Sequence, residues 1–143
     1  AGTATLYTRD VLALATSLSE WPYDPMLPLH GGARSTTCGS GLELALATDA
    51  AGRITRVGLR AQACAIGQAS AALFAGAALG CDRETIGHGL AELRRWLDEG
   101  GEPPHWPGLA AIAPAREYPA RHGAITLAWQ AALQALSSAP KPR

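Results

Sequence analysis

Two short runs, in which aliphatic residues alternate with small or charged ones, constrain this chain more than any other feature. Leu42, Leu44 and Leu46 alternate with Glu43, Ala45 and Ala47, and Val57, Leu59 and Ala61 alternate with Arg56, Gly58 and Arg60. A period of two sends successive side chains to opposite faces, so each run reads as a strand with one face on a core and the other in water. Between them, Asp49-Ala50-Ala51-Gly52 supplies turn residues, and the two strands are expected to pair as an antiparallel hairpin. Ile54 breaks the alternation and marks the second strand's start.

The rest of the chain reads mainly as helix. Val11, Leu12, Ala15 and Leu18 recur at helical spacing behind Thr8, a good N-cap, which predicts a first helix from about Arg9 to Leu18. From Ile66 to Leu79 the residues are small and apolar, with Gly80 placed to end the helix; a helix so poor in charge is a buried one. Asp82 caps a further helix whose stripe is Ile86, Leu90, Leu93 and Leu97, stopped by Gly100-Gly101. Ile125, Ala128, Trp129, Ala132 and Leu136 define a C-terminal helix before a frayed tail. Two segments resist regular structure. Trp21 to Gly32 holds Pro22, Pro25, Pro28 and a Gly31-Gly32 pair and reads as a surface loop or an edge, and Pro103 to Pro114 allows one short turn at Leu109 to Ile112. The expected class is α+β, a small antiparallel sheet with helices packed on one face, in a single domain spanning 1–143 with an ordered core from about 6 to 136.

Composition narrows the function classes. Twelve basic residues balance twelve acidic ones, so the footprint of a nucleic-acid binder is missing. The first residues, Ala1 to Ala4, lack the basic start and apolar run of a secretory signal, and no stretch reaches a membrane span of about 20 apolar residues. Three cysteines, an odd number, fit free thiols in a reducing compartment rather than a disulfide framework. The expectation is a cytoplasmic protein without nucleic-acid or membrane partners, and its Ala- and Arg-rich usage reads as the coding bias of a GC-rich bacterial genome. The signatures of common enzymes, a Gly-x-Ser-x-Gly elbow or a Gly-x-x-x-x-Gly-Lys loop, do not occur, and the chain is expected not to be an enzyme.

The chemistry that remains is thiol chemistry. Cys38 lies in Thr36-Thr37-Cys38-Gly39-Ser40-Gly41 at the start of the first leucine-alternating strand, where glycines let the backbone turn and expose the thiol. Cys64 follows the second strand and precedes the Ile66 helix, whose N-terminus favours a thiolate. In a hairpin, the start of one strand and the end of the next share one sheet end, so the two cysteines are expected to be neighbours. Either alone reads as packing before chemistry; together, each at an element boundary, they favour function. Cys81, in Gly80-Cys81-Asp82 on the opposite side, reads as incidental. His30, His88, His105 and His122 read as surface residues, because no His-x-x-His or Cys-x-x-Cys spacing supports a ligand set; Ser40, His122 and Asp24 are the side chains whose distance from the thiols matters most.

This order of parts resembles the iron-sulfur cluster scaffold family of IscU, SufU and the N-terminal domain of NifU, from Leu6 to Leu136. Cys38-Gly39-Ser40 resembles the family's strand-opening Cys-Gly-Asp, and Cys64-Ala65-Ile66-Gly67-Gln68-Ala69-Ser70 its second cysteine before a small-residue helix. Pro119 to Trp129 is similar to the family's Pro-x-Arg-x-x-Cys-x-x-Leu-x-Trp, with Ala124 where the third cysteine stands and Gly123 where IscU has a His. The resemblance implies binding of iron, zinc or a 2Fe-2S cluster, or acceptance of sulfur, through Cys38 and Cys64 with Ser40 in the place of the Asp. It also implies a pyridoxal-phosphate cysteine desulfurase as partner, a possible homodimer, and Arg121 at a partner interface. Ligand count tempers this: a closed zinc or cluster site takes four donors, and two of the family's are replaced. Three readings stand open: a scaffold completed by a partner or a dimer, a thiol relay carrying sulfur, and a module without metal that docks on a desulfurase or another assembly factor. Thiol-disulfide redox work lacks Cys-x-x-Cys and ranks last.

Overall fold

A computed structural model describes residues 6–36 and 38–138; the start read for a signal, Ala1 to Ala4, and the last residues of the tail lie outside them. Helix α1 (Arg9–Ser17) begins where Thr8 accepts a hydrogen bond from the Val11 amide at 3.1 Å and continues as a 3-10 turn, Leu18–Glu20. Three strands follow, β1 (Leu29–Arg34), β2 (Gly41–Thr48) and β3 (Ile54–Gln62), antiparallel in the order β1-β2-β3. Then come α2 (Ala65–Ala78), α3 (Arg83–Glu99), a 3-10 segment (Leu109–Glu117), α4 (Pro119–Ile125) and α5 (Leu127–Ser137). Helices pack against the small sheet, the α+β arrangement that the alternation predicts.

The hairpin forms in the register that buries the leucines. Leu42 pairs with Ala61, Leu44 with Leu59 and Leu46 with Val57, and Leu42, Leu44, Leu46 and Leu59 are buried. The register shifts between Ala47 and Thr48, so that Thr48 opposes Ile54, which accounts for the break in alternation there. Asp49 closes the turn by accepting from the Ala51 and Arg53 amides, both at 2.9 Å.

The segment read as irregular is in part a strand. Its first half pairs with the sheet through an isolated parallel bridge from Pro22 to Leu59, but Leu29–Arg34 pairs with β2 along its whole length as an edge strand. The Gly31-Gly32 pair, a turn signal on its face, answers a packing demand. Helix α5 crosses β1 so closely that a Cβ on Gly31 would lie 2.0 Å from the carbonyl oxygen of Ala131. Beside it the Gly32 amide, on the open edge, donates to the Gln134 side chain at 2.6 Å, which satisfies a donor that an edge strand otherwise leaves exposed.

Helices α2 and α3 end and begin as expected. Gly80 adopts φ 87°, and the Asp82 side chain accepts from the Thr85 amide at 2.9 Å. Two expectations need correction. The short turn at Leu109 extends through Glu117 as 3-10 helix, and the C-terminal helix is two helices, divided at Thr126. The break lets the Ile125 carbonyl, released from helical bonding, accept from the buried Ser70 hydroxyl of α2 at 2.6 Å. Phe74, Trp106 and Trp129 fill the centre of the helical layer, with Phe74 and Trp106 stacked at 5.6 Å and Trp129 edge-on to both at 5.2 Å.

The close approach at Gly31 generates a test. Gly31→Ala forces β1 and α5 apart and is expected to cost at least about 1–3 kcal/mol of unfolding free energy, the range for overpacking. Urea denaturation checks it, with Gly32→Ala, whose Cβ would meet only one atom at 3.4 Å, as the milder control; equal midpoints for the two variants would contradict the packing argument.

Candidate functional site

The register decides which chain positions share an end of the sheet. Gly41 pairs with Arg34 on one side and with Gln62 on the other. Cys38, in the β1–β2 connection, and Cys64, just beyond β3, therefore both belong to this end. Cys81 belongs to the other, because the Ile54 amide donates to the Cys81 carbonyl at 2.8 Å and the Gly80 amide to the Ile54 carbonyl at 2.8 Å. All three thiols are free.

Cys38 sits in a tight hairpin connection rather than at the boundary of an irregular segment. The Ser35 amide donates to the Ser40 carbonyl at 2.8 Å, the Gly39 amide to the Ser35 carbonyl at 3.0 Å, and Gly39 takes φ 74°, a conformation costly for other residues. The connection leaves Cys38 exposed while Ser35 and Ser40, each 7% exposed, turn inward. The Ser40 hydroxyl lies 3.3 Å from the sulfur. The side-chain hydroxyl of Ser35, then the side chain and backbone of Ser40, hydrogen-bond the sulfur and hold its pKa below the ordinary cysteine value. Ser35 was not among the sequence candidates. Its signal is the frame Ser35-x-x-Cys38-x-Ser40, legible only once the strands on either side are known to pair.

Cys64 is the N-cap residue of α2, half-buried against the core, with φ −64° and ψ 170° and no side-chain capping bond. Its carbonyl accepts from the Gln68 amide at 2.9 Å, and the Gln68 side chain donates to the Ala63 carbonyl at 3.0 Å. These bonds fix the residues that flank the thiol.

The first turn of α2 also meets α4. A Cβ on Gly67 would stand 2.7 Å from the Cβ of Ala63 and 3.0 Å from that of Ala124, so α4 closes on this turn only because position 67 carries no side chain. Ala124, 2% exposed, is thus held beside the turn that Cys64 opens.

The other candidates are engaged elsewhere. His122, in α4, donates from Nε2 to the Arg116 carbonyl at 2.6 Å. Asp24 lies 3.6 Å from Arg56, near the sheet end away from the thiol pair. His30 bonds the Tyr23 hydroxyl at 3.0 Å in mid-sheet. Arg121 in α4 places its guanidinium carbon 6.0 Å from the centre of the Tyr7 ring. Among the described residues no three His, Cys, Asp or Glu side chains cluster closely enough to hold a metal ion.

The hydroxyl cradle predicts an order of reactivity. Burial, then the Asp82 charge, pushes the Cys81 thiol up, whereas Cys38 is exposed and shifted down. Iodoacetamide reacts with thiolate, so Cys38 should be alkylated ahead of Cys81 and with its pH–rate midpoint below that of an ordinary thiol. Ser35→Ala and Ser40→Ala should each move that midpoint upward. Mass spectrometry of quenched digests reads all of this, and a midpoint that neither variant moves contradicts the assigned cause.

No protein-family model matches the chain, and no curated protein matches it by sequence. Solved structures do. A nitrogen-fixing NifU-like protein (N-terminal) from Brucella abortus superimposes with a TM-score of 0.84 at 24% identity, covering 92% of each chain. A putative iron-sulfur cluster assembly scaffold protein for the SUF system from the thermophilic Fervidobacterium islandicum AW-1 superimposes with a TM-score of 0.81 at 18% identity, covering 94% of this chain and 99% of that one. Over nearly its whole length, then, this chain has the fold of the NifU-like and SufU scaffold proteins.

Proposed function

We propose that this protein is a single-domain, non-enzymatic participant in iron-sulfur cluster assembly that works through Cys38 and Cys64. The observation that carries the reading is the Cys38 thiol, exposed, held toward thiolate by Ser35 and Ser40, and set at the same sheet end as Cys64. The fold shared with a NifU-like protein and a SUF-system scaffold supports it.

The donor set decides which part of assembly suits the chain. A closed zinc or cluster site takes four donors, and here Ala124 stands where the resembled family has its third cysteine. Iron, zinc or a 2Fe-2S cluster is therefore cargo that the pair would hold only with donors lent by a partner or by a second copy of the chain, with the Ser40 hydroxyl 3.3 Å from the Cys38 sulfur. Sulfur acceptance asks less. The Cys38 thiolate attacks the outer sulfur of a persulfide on a donor protein such as a cysteine desulfurase. A new S–S bond forms on Cys38, the donor's S–S bond breaks, and the donor cysteine leaves as thiolate. The hydroxyls of Ser35 and Ser40 stabilise the attacking anion, and Arg121, on α4, would face the docked partner.

A second reading, a docking module without metal or sulfur chemistry, is favoured by the lack of a three-donor cluster among the described residues. One set of experiments separates the two. Incubation with a cysteine desulfurase and cysteine should place a persulfide on Cys38, visible as added sulfur mass, and Cys38→Ser should abolish it; desulfurase binding that persists in the Cys38→Ser/Cys64→Ser variant without any sulfur uptake would establish the module instead. Under anaerobic iron and sulfide the wild-type chain alone should hold little cluster. Ala124→Cys adds a third thiol beside the α2 N-terminus and should tighten zinc binding at least about tenfold, worth roughly 1.4 kcal/mol. Unchanged zinc affinity in that variant would show that the three positions do not form one site.

A further inference from the structure

We propose that the outer face of the sheet, at the end that carries the thiols, receives an acidic side chain of the sulfur-donating protein, with Arg34 as its counter-ion. The inference deepens the sulfur-acceptance reading and rests on it. A depression of about 380 Å³ lies there, lined by residues 32–34 of β1, residues 41–43 of β2, and Arg60 and Gln62 of β3. Gly32, Arg34, Gly41, Glu43, Arg60 and Gln62 alternate with the leucines that meet the core, so they belong to the opposite face. Residues 22–24 cover the middle of that face, where a Cβ on Gly58 would run into the Pro22 carbonyl oxygen. At the thiol end Arg34, Glu43, Arg60 and Gln62 stay exposed.

The glycines mark a close approach from outside. Gly31, on the helix side, has no room for a Cβ, but one on Gly32 would meet a single atom at 3.4 Å and one on Gly41 nothing nearer than Cζ of Arg34 at 3.8 Å. Neither takes a positive φ. A glycine within a paired strand weakens it and marks a bulge, a bend or a place where another molecule comes close. The register runs unbroken through both positions, which favours the last.

The charges on the face select what approaches. Arg56 has Asp24 at 3.6 Å, and Arg60 donates from Nε to the Glu43 carboxylate at 3.0 Å while lying 4.3 Å from the centre of the Tyr23 ring. His30 is engaged by the Tyr23 hydroxyl. Both carboxylates are thereby matched. Arg34 makes no ion pair among the described residues, and its guanidinium lies against Gly41 in the depression. One excess positive charge beside the Gln62 amide suits a carboxylate, whose two oxygens a guanidinium can take together. A phosphate dianion would need a second free cation and would face Glu43. A single exposed ion pair is weak in water, too weak to hold a small free acid but adequate as one contact of a docked protein. Arg34 precedes Ser35, where the connection that presents Cys38 begins, so a donor protein seated on Arg34 is beside the thiol.

Binding of the full chain to a cysteine desulfurase, read by biolayer interferometry, forms the test, with sulfur uptake on Cys38 followed in parallel by mass. Arg34→Ala should weaken binding about threefold and Arg34→Glu at least about tenfold. Gly41→Asp sets a carboxylate beside Arg34 from within the chain and should weaken binding about as much as Arg34→Ala, whereas Gly41→Asn, of the same size, should weaken it less. Iodoacetamide should alkylate Cys38 at the wild-type rate in every variant, because the Ser35 and Ser40 hydroxyls set that rate. If the wild type takes up sulfur, this proposal alone is overturned by undiminished binding of Arg34→Glu, by equal effects of Gly41→Asp and Gly41→Asn, or by a binding loss matched by slowed alkylation. A wild type that takes up no sulfur overturns the sulfur-acceptance reading as well.

Discussion

The pairing of β2 with β3 in one particular register is the constraint from which the rest of this structure follows. A slip of one residue would carry Leu42, Leu44 and Leu46 from the core to solvent, and with them the surface on which the helices pack. The same register sets Gly41 against Gln62, and so decides that the residue before β2 and the residue after β3 emerge at one end. Thiols 26 positions apart in the sequence share that end because four leucines must be buried, not because the thiols attract one another. Fold stability and site geometry thus rest on one set of hydrogen bonds.

Local pattern made much of this legible. Alternation identified β2 and β3, and the caps at Thr8, Asp82 and Gly80 placed the helix ends, because each signal acts within a few residues of itself. What stayed hidden depended on distant neighbours. Gly31-Gly32 reads as a turn until α5 is seen to lie on Gly31; the glycines of β1 exist for a contact made a hundred residues later. The break at Thr126 has the same origin, since the Ile125 carbonyl bonds Ser70 on another helix. At the site, the thiols and Ser40 could be named from the sequence, but Ser35 could not, because it reaches Cys38 only when the Ser35–Ser40 bond closes the hairpin. Asp24 and His122, whose distances from the thiols mattered most, are held by Arg56 and the Arg116 carbonyl.

Position 124 carries an alanine where the family this chain resembles has its third cysteine, and its helix is docked all the same. Ala124 lies close against Gly67, so the helix that carries it is docked against the turn that follows Cys64. Gly67 has to remain a glycine for that docking, whatever stands at 124. The architecture therefore persists independently of the metal chemistry it resembles, which is why strong likeness in fold at 24% and 18% identity says less about ligands than about packing.

The exchange of Asp for Ser at position 40, judged against the family this chain resembles, shifts the chemistry in a definite direction. A carboxylate beside Cys38 would offer a metal an anionic oxygen and, in the metal-free protein, would repel a thiolate and raise the thiol's pKa. A hydroxyl offers metal a weaker, neutral oxygen but can turn its proton toward a thiolate, and the buried Ser35 and Ser40 side chains both hydrogen-bond the Cys38 sulfur and hold its pKa down. On the proposed reading, two hydroxyls that steady an anion at Cys38 would favour receiving a sulfur atom over holding a cluster unaided.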